Sequence, residues 1–211
     1  IEEVKSVYPD VNLILNKENK GFGDGCNVGA AAAVGKYLLF INPDVEFTGN
    51  VNHSMFKLME SDPRIAVSSP IYYEDDGSVT FSFNKFPDID WNIAEAFANV
   101  VYRLKSKIKG EKLDYKNRVF EVDWVMGSYM FMNHEVFKMI NGFDNRIFLY
   151  YEDIDLQYRI KQMGYKIVYN GFEHISHFKR SSVRSTEGEN LFFYHMTRSN
   201  LIYCYKHFGF F

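Results

Sequence analysis

Cysteine and proline are scarce in this chain, with two and five among 211 residues, and neither charge dominates. Cys26 and Cys204 stand far apart and lack metal-ligand spacing, which excludes a disulfide framework and points to a reducing compartment. The longest apolar run, residues 30–41, is broken by Gly35 and Lys36 and is too short to span a bilayer. No leader peptide is visible, and the chain opens on Ile1 rather than Met, so the expectation is that its natural N-terminus lies upstream. A net charge of −3, from 24 basic and 27 acidic residues mixed along the chain, gives no basic face for nucleic acid. Internal repeats and low-complexity tracts are missing too, which sets aside solenoids and disordered linkers.

What is present is apolar and aromatic: 46% of residues are hydrophobic and 18% are Phe, Tyr or Trp. That suffices for one substantial core, so residues 1–211 are expected to form a single domain. The rings have two readings, a large aromatic core or platforms for sugars and membrane surfaces.

The hydrophobic period alternates between strand and helix. Residues 11–15 (VNLIL) read as a short buried strand, followed by the turn-rich segment 19–25 and a small-residue helix over 26–34. The next strand is 36–41 (KYLLFI), ended by Asn42-Pro43-Asp44. Strand, glycine-rich turn, helix and strand within about 30 residues match a βαβ unit and predict parallel neighbouring strands. A helix over 50–61, strands near 65–69 and 80–83, and a strand over 119–125 follow. Beyond them come a loop at 126–128, a strand over 129–132, helices over 135–140 and 152–163, a strand over 166–169, and a terminal helix over 189–207. Residues 91–104 read as an amphipathic helix and 105–112 as an exposed basic stretch. The fold class is therefore α/β, with a mostly parallel sheet flanked by helices.

The segment 148–160, FLYYEDIDLQYRI, is the most informative. It puts Glu152, Asp153 and Asp155 at a helix start directly behind an aromatic run. One or two acids there suit the positive end of the helix dipole. Three point to a carboxylate that takes a proton or faces a cation. Asn42-Pro43-Asp44 ends an interior strand, at the sheet edge where open α/β folds bind ligands; an ordinary turn is the other reading. Residues 21–29 could bring backbone N–H groups to a phosphate or simply pack a helix closely, and they match neither a dinucleotide fingerprint nor a P-loop. His174 and His177 lack cysteine partners, so either could join Asp44 in an oxygen–nitrogen site suited to manganese or magnesium, or be structural. Trp124 with Gly127 and Ser128 suits a sugar subsite or a packed tryptophan equally.

Taken in order, these segments resemble glycosyltransferase family 2, on the GT-A fold, and within it the bacterial rhamnosyltransferase-like enzymes. Asn19-Lys20-Gly21-Phe22-Gly23 with Asn27 and Gly29 is similar to the family's N-x-GFG…N-x-G element. Residues 36–44 resemble GKYLLFLNPD, where N-P-D replaces the D-x-D of other members. Residues 124–132 resemble its acceptor strand, and 141–144 with 148–159 its GGFDE…EDVDL-x-x-R element. Residues 164–177 and 198–209 resemble its GY-x-I…I-x-H and R-x-N…KHFG endings. The likeness covers nearly the whole chain but lacks the family's first strand and base-gripping segment, so the domain is N-terminally incomplete.

The resemblance implies an inverting transfer of a sugar from a nucleoside diphosphate to an acceptor hydroxyl, assisted by Mn2+ or Mg2+, in cell-surface polysaccharide synthesis. It implies Asp153 as the base, and Gly21, Gly23, Asn27, Asn42 and Asp44 on the nucleotide-sugar side. Trp124, Gly127, Ser128, Glu152 and Asp155 fall on the acceptor and sugar side, and Asp44 with His177 at the metal. Residues 1–70 would bind nucleotide and 71–211 acceptor. The expected partners are a nucleoside-diphosphate sugar and a saccharide or lipid-linked saccharide, without nucleic acid. A cytoplasmic place is implied, with peripheral contact at the inner face of the plasma membrane through 105–112 and the aromatic tail 208–211. The alternative is a non-catalytic nucleotide-sugar or carbohydrate binding module, a degenerate transferase. Nucleotidyl transfer would need more basic residues near the triphosphate than Lys20, and a paired-carboxylate glycosidase has no use for the 42–44 turn.

Overall fold

Strand β3 (Ile65–Tyr73) is buried along all but its last residue, as a strand flanked on both edges and covered on both faces should be. It is the centre of a seven-stranded sheet in this computed structural model, which describes residues 2–74, 77–80, 82–87, 116–177 and 186–209, positions 80, 177 and 186–189 by their backbone alone. The expected helix at 91–104 and basic stretch at 105–112 lie outside the described residues, as does the end of the tail, 210–211. Strands β1 (Tyr37–Ile41), β8 (Tyr129–Asn133), β3, β9 (Lys166–His177) and β2 (Val45–Phe47) follow one another across the sheet. The short strands β4 (Val79–Thr80) and β6 (Val119–Val122) pair with β3 and β9. A separate ribbon joins β5 (Phe83–Asn84) to β7 (Trp124–Val125).

The α/β class and flanking helices are as expected, but the sheet is mixed. β1, β3 and β9 run the same way; β8 is inserted antiparallel between β1 and β3, and β3–β9 is the one parallel ladder among the described residues. The expected βαβ unit at 11–41 does not form. Residues 11–15 carry strand-forming side chains, yet no strand lies beside them among the described residues, and Val11, Ile14 and Leu15 are exposed. An extended segment needs a hydrogen-bonding neighbour to become a strand. A short helix, α1 (Glu2–Val7), precedes it and buries nothing.

Period-two alternation sends side chains to opposite faces. Leu38, Phe40, Met130 and Met132 pack under α2 (Phe22–Ala32), α4 (His134–Met139) and α5 (Glu152–Gln162). Tyr129, Phe131, Val168 and Ile175 face Val51, Met55 and Met59 of α3 (Val51–Ser61) on the other side. A third cluster, Ile147, Tyr151, Ile154 and Tyr203, docks the terminal helix α6 (Thr186–Phe208) against α5. Helix α4 starts where Asn133 accepts hydrogen bonds from the Glu135 and Val136 amides, the usual role of an N-cap asparagine.

Candidate active site

Helix α5 begins abruptly. Tyr150 and Tyr151 both take left-handed backbone angles, φ 63° and 67°, a conformation that costs a non-glycine residue on the order of 1–3 kcal/mol. Packing holds the turn: the Tyr151 ring lies 5.7 Å from that of Tyr203, and the Ser199 hydroxyl donates to the Leu149 carbonyl at 2.8 Å. The bend delivers Glu152 and Asp153 into a largely dry interior.

Asp153 sits in a fixed cradle. Its Oδ2 accepts the Gly127 amide at 2.9 Å and its Oδ1 accepts the Ile154 amide, also at 2.9 Å. Gly127 reaches it because Gln157 grips the preceding strand: the Gln157 side chain donates to the Val125 carbonyl at 2.7 Å and accepts the Val125 amide at 2.9 Å. One residue further on, the Ser128 carbonyl accepts the Asn42 amide at 3.0 Å. The 42–44 turn, closed by a 3.3 Å bond from the Val45 amide to the Asn42 carbonyl, is thereby joined through Ser128 and Gly127 to Asp153. Hydrogen bonds thus link Asn42, Ser128, Gly127 and Asp153 in one path.

On the far side of the turn, Val45 pairs with His177 and Phe47 with Ile175. The register therefore sets the His177 backbone opposite Val45, the residue that follows Asp44. His174, three residues earlier, is exposed, with its ring 5.2 Å from Tyr73 in an edge-to-face contact. Among the described residues no three His, Cys, Asp or Glu side chains come close enough to form a metal cage. A carboxylate and an imidazole fit a hard cation that takes its other ligands from phosphate and water.

Electrostatics separates the acids. Burial pushes the Glu152 carboxyl up to about 8, and the charge of Asp153 adds to the rise. Burial likewise raises Asp153, but the two amide hydrogen bonds oppose it. Glu152 is 6% exposed and its Oε2 has no partner among the described residues, whereas both Asp153 oxygens accept amides. Burial also drives the free Cys26 thiol up to about 12, with Glu152 contributing, which leaves it unreactive at neutral pH.

Several expected ligand contacts turn out to be internal. Asp155 was placed on the acceptor side; it is fully buried and saturated, with Arg159 Nε at 2.9 Å, Lys206 at 2.7 Å and His207 Nε2 at 2.8 Å. Burial alone would raise its carboxyl, but the His207 hydrogen bond and the two cations outweigh that and hold it below the ordinary range. Asn27 is likewise engaged, donating to the Phe143 carbonyl at 2.9 Å and Asn145 at 2.8 Å and accepting the Phe143 amide at 2.9 Å. Its amide pins a loop and is not offered to a nucleotide. Gly21, at φ 100°, lets the Phe22 amide reach the Phe148 carbonyl at 3.0 Å; a Cβ there would fall 2.0 Å from that oxygen. Gly23 packs on Phe143. Trp124 is half-buried, its indole donating to the Lys85 carbonyl at 2.9 Å.

Three supporting residues escaped the sequence reading. Gln157 and Arg159 lie on α5 at four-residue spacing from Asp153 and Asp155, and that spacing was the available signal. Arg159 also donates to the Ile140 and Gly142 carbonyls at 2.6 and 2.8 Å. Phe22 borders Gly127, where a Cβ would stand 3.6 Å from its ring edge.

Comparison with known proteins agrees with this geometry. A family model described as glycosyl transferase family 2 matches residues 1–140. The chain belongs to glycosyl transferase family 2. A second model, described as the N-terminal domain of galactosyltransferase, matches residues 107–181. The rhamnosyltransferase WbbL of Escherichia coli K12 is 32% identical over 174 residues, covering 78% of this chain and 63% of that protein. The N-acetylglucosaminyl-diphospho-decaprenol L-rhamnosyltransferase of Mycobacterium tuberculosis is 26% identical over 202 residues, covering 89% of this chain and 65% of its own. The chain thus spans just under two thirds of the length of these relatives. In three dimensions it resembles GalNAc-T7, solved with UDP, GalNAc and Mn2+, at a TM-score of 0.59 and 14% identity over 90% of this chain and 38% of that one. That likeness establishes a shared GT-A fold.

Proposed function

We propose that this chain is the catalytic domain of an inverting glycosyltransferase that moves a sugar from a nucleoside-diphosphate donor to an acceptor hydroxyl. The observation that carries it is the hydrogen-bonded path from Asn42 through Ser128 and Gly127 to Asp153, which puts a basic carboxylate and the donor-side turn in one place. An alcohol is a weak nucleophile at neutral pH, so a carboxylate must take its proton as the new bond forms. Asp153 is that base, its carboxylate positioned by two amide donors. Protonated Glu152 beside it donates a hydrogen bond to the acceptor or stays neutral so that the pair is not doubly charged. Asn42 and Asp44 line the donor, while Trp124, Gly127 and Ser128 line the sugar and acceptor. Asp44 and His177 hold a divalent ion, Mn2+ or Mg2+, which neutralises charge on the departing diphosphate.

Residues 1–70 form the nucleotide part and 71–211 the acceptor part. The relatives named as rhamnosyltransferases support rhamnose as the sugar, and the mycobacterial name supports a lipid-linked saccharide acceptor in polysaccharide synthesis. No helix among the described residues is long and apolar enough to cross a membrane. A lipid-linked acceptor would bring the chain to the inner face of the plasma membrane. The test is a donor panel on the full-length protein, reading released nucleotide with and without manganese, alongside calorimetry with nucleoside diphosphates. Turnover that chelator removes is expected. Nucleotide binding without turnover of any donor would instead mark a binding module.

A further inference from the structure

We infer that a basic cleft between the start of α2 and helix α6 is a diphosphate subsite separate from the 42–44 turn, and that it takes the diphosphate of a lipid-linked acceptor. The cleft, about 660 Å3, is lined by Lys20, Arg146 and Arg198 against one carboxylate, Asp24. Its cations are held in place by the protein. Arg198 donates to the Arg146 carbonyl at 3.0 Å, Arg146 is forked onto Asp144 at 2.6–2.9 Å, and Lys20 stands 3.9 Å from Glu18. The imidazole of His195 stacks on Phe148 at 4.7 Å along the wall, and its Nδ1 has no partner among the described residues. Among the lining residues three cations face one carboxylate, while Asp144 and Glu18 pair with Arg146 and Lys20 from outside the lining. A guanidinium and an ammonium beside a helix start suit a compact, multiply charged oxyanion.

The position explains why a second diphosphate is needed. The cleft is lined by Phe148, whose carbonyl receives the Phe22 amide, and the Phe22 ring borders Gly127, which holds Asp153. An acceptor sugar hydroxyl presented to Asp153 thus leaves its anomeric phosphates towards Lys20 and Arg198. Helix α6 continues the match. Tyr194, Arg198, Leu201 and Tyr205 recur at three- and four-residue spacing on one face, and the three apolar members are 59%, 67% and 53% exposed. A charged pocket bordered by an exposed apolar ridge fits a prenyl diphosphate better than a nucleotide, whose base and ribose need polar partners.

The acceptor assignment rests on the transfer reaction proposed above; anion binding does not, because it is measured without donor, metal or turnover. The experiment is calorimetry on the full-length protein with inorganic pyrophosphate and with a short-chain prenyl diphosphate in chelator, comparing wild type with Lys20→Gln, Arg198→Gln, Arg198→Lys and Asp44→Asn. Both ligands should bind wild type. Lys20→Gln and Arg198→Gln should each weaken them about tenfold or more, with Arg198→Lys retaining most of the affinity and Asp44→Asn all of it. Uridine diphosphate with manganese should respond in the opposite pattern. Absence of pyrophosphate binding, indifference to Lys20→Gln and Arg198→Gln, or loss of uridine diphosphate affinity in those two variants would each overturn the assignment. Lys20 and Arg198 are exposed and Asp44 is half-buried, so thermal midpoints near wild type are expected for the Lys20 and Arg198 variants, and the midpoint of each variant checks that the fold is intact.

Discussion

At the scale of single residues, Glu152 and Asp153 are chain neighbours that burial raises alike and hydrogen bonding treats differently. Asp153 has two amide donors, whereas the Glu152 Oε2 has none among the described residues, and its carboxyl rises to about 8. A carboxyl raised in the folded state binds its proton more tightly there than in the unfolded chain. Its contribution to stability is therefore present at low pH and lost as pH climbs from the ordinary glutamate range to about 8. Glu152→Gln removes that loss, so its melting temperature relative to wild type should rise between pH 5 and pH 8.5, by a few degrees. A difference that stays flat or falls across that range would show that Glu152 titrates normally. Gly127 offers a complementary test. A Cβ there would meet the Asp153 Cβ and Oδ2 at 3.4 Å, the boundary at which a neighbour begins to give way by a few tenths of an ångström. Gly127→Ala should keep the melting temperature within a few degrees and yet lower turnover by roughly tenfold or more, because the base is displaced. Unchanged turnover would mean that Asp153 tolerates movement that a base cannot.

At the scale of elements, α5 and α6 are bolted together through charge. Asp155 receives Arg159, Lys206 and His207, Lys206 also reaches Asp144 at 2.7 Å, and Arg159 fixes the carbonyls of Ile140 and Gly142. Removing one partner of a buried ion network costs about 3–5 kcal/mol, because the cations left behind lose their counter-charge. Asp155→Asn should then lower the melting temperature on the order of 10 °C. A drop of a degree or two would show the network to be solvated in solution. Much of this was readable beforehand. The helix at 152–163, the strands at 36–41 and 129–132 and the terminal helix all follow from apolar period and breakers. Asp155 and Asn27 were not readable as internal groups. A motif gives residue type and order, whereas saturation depends on partners such as Lys206 and Phe143, far off in sequence. The strand expected at 11–15 failed for a related reason: alternation describes a side-chain pattern, and a ladder needs a neighbour.

At the scale of the whole molecule, the sheet collects donor-side and acceptor-side groups at one end. β1 and β2 deliver Asn42 and Asp44, β9 delivers His177, the β7–β8 connection delivers Gly127, and α5 brings Asp153 up to meet them. The central claim is that this end performs transfer with Asp153 as the base. The most direct measurement is on the full-length protein carrying Asp153→Asn, with donor binding and sugar transfer read on the same preparation. General-base removal is worth about 10²–10⁴-fold. The predicted result is donor affinity within a factor of about three of wild type and transfer reduced by at least a hundredfold. A variant that still transfers sugar at more than about a tenth of the wild-type rate would contradict the account.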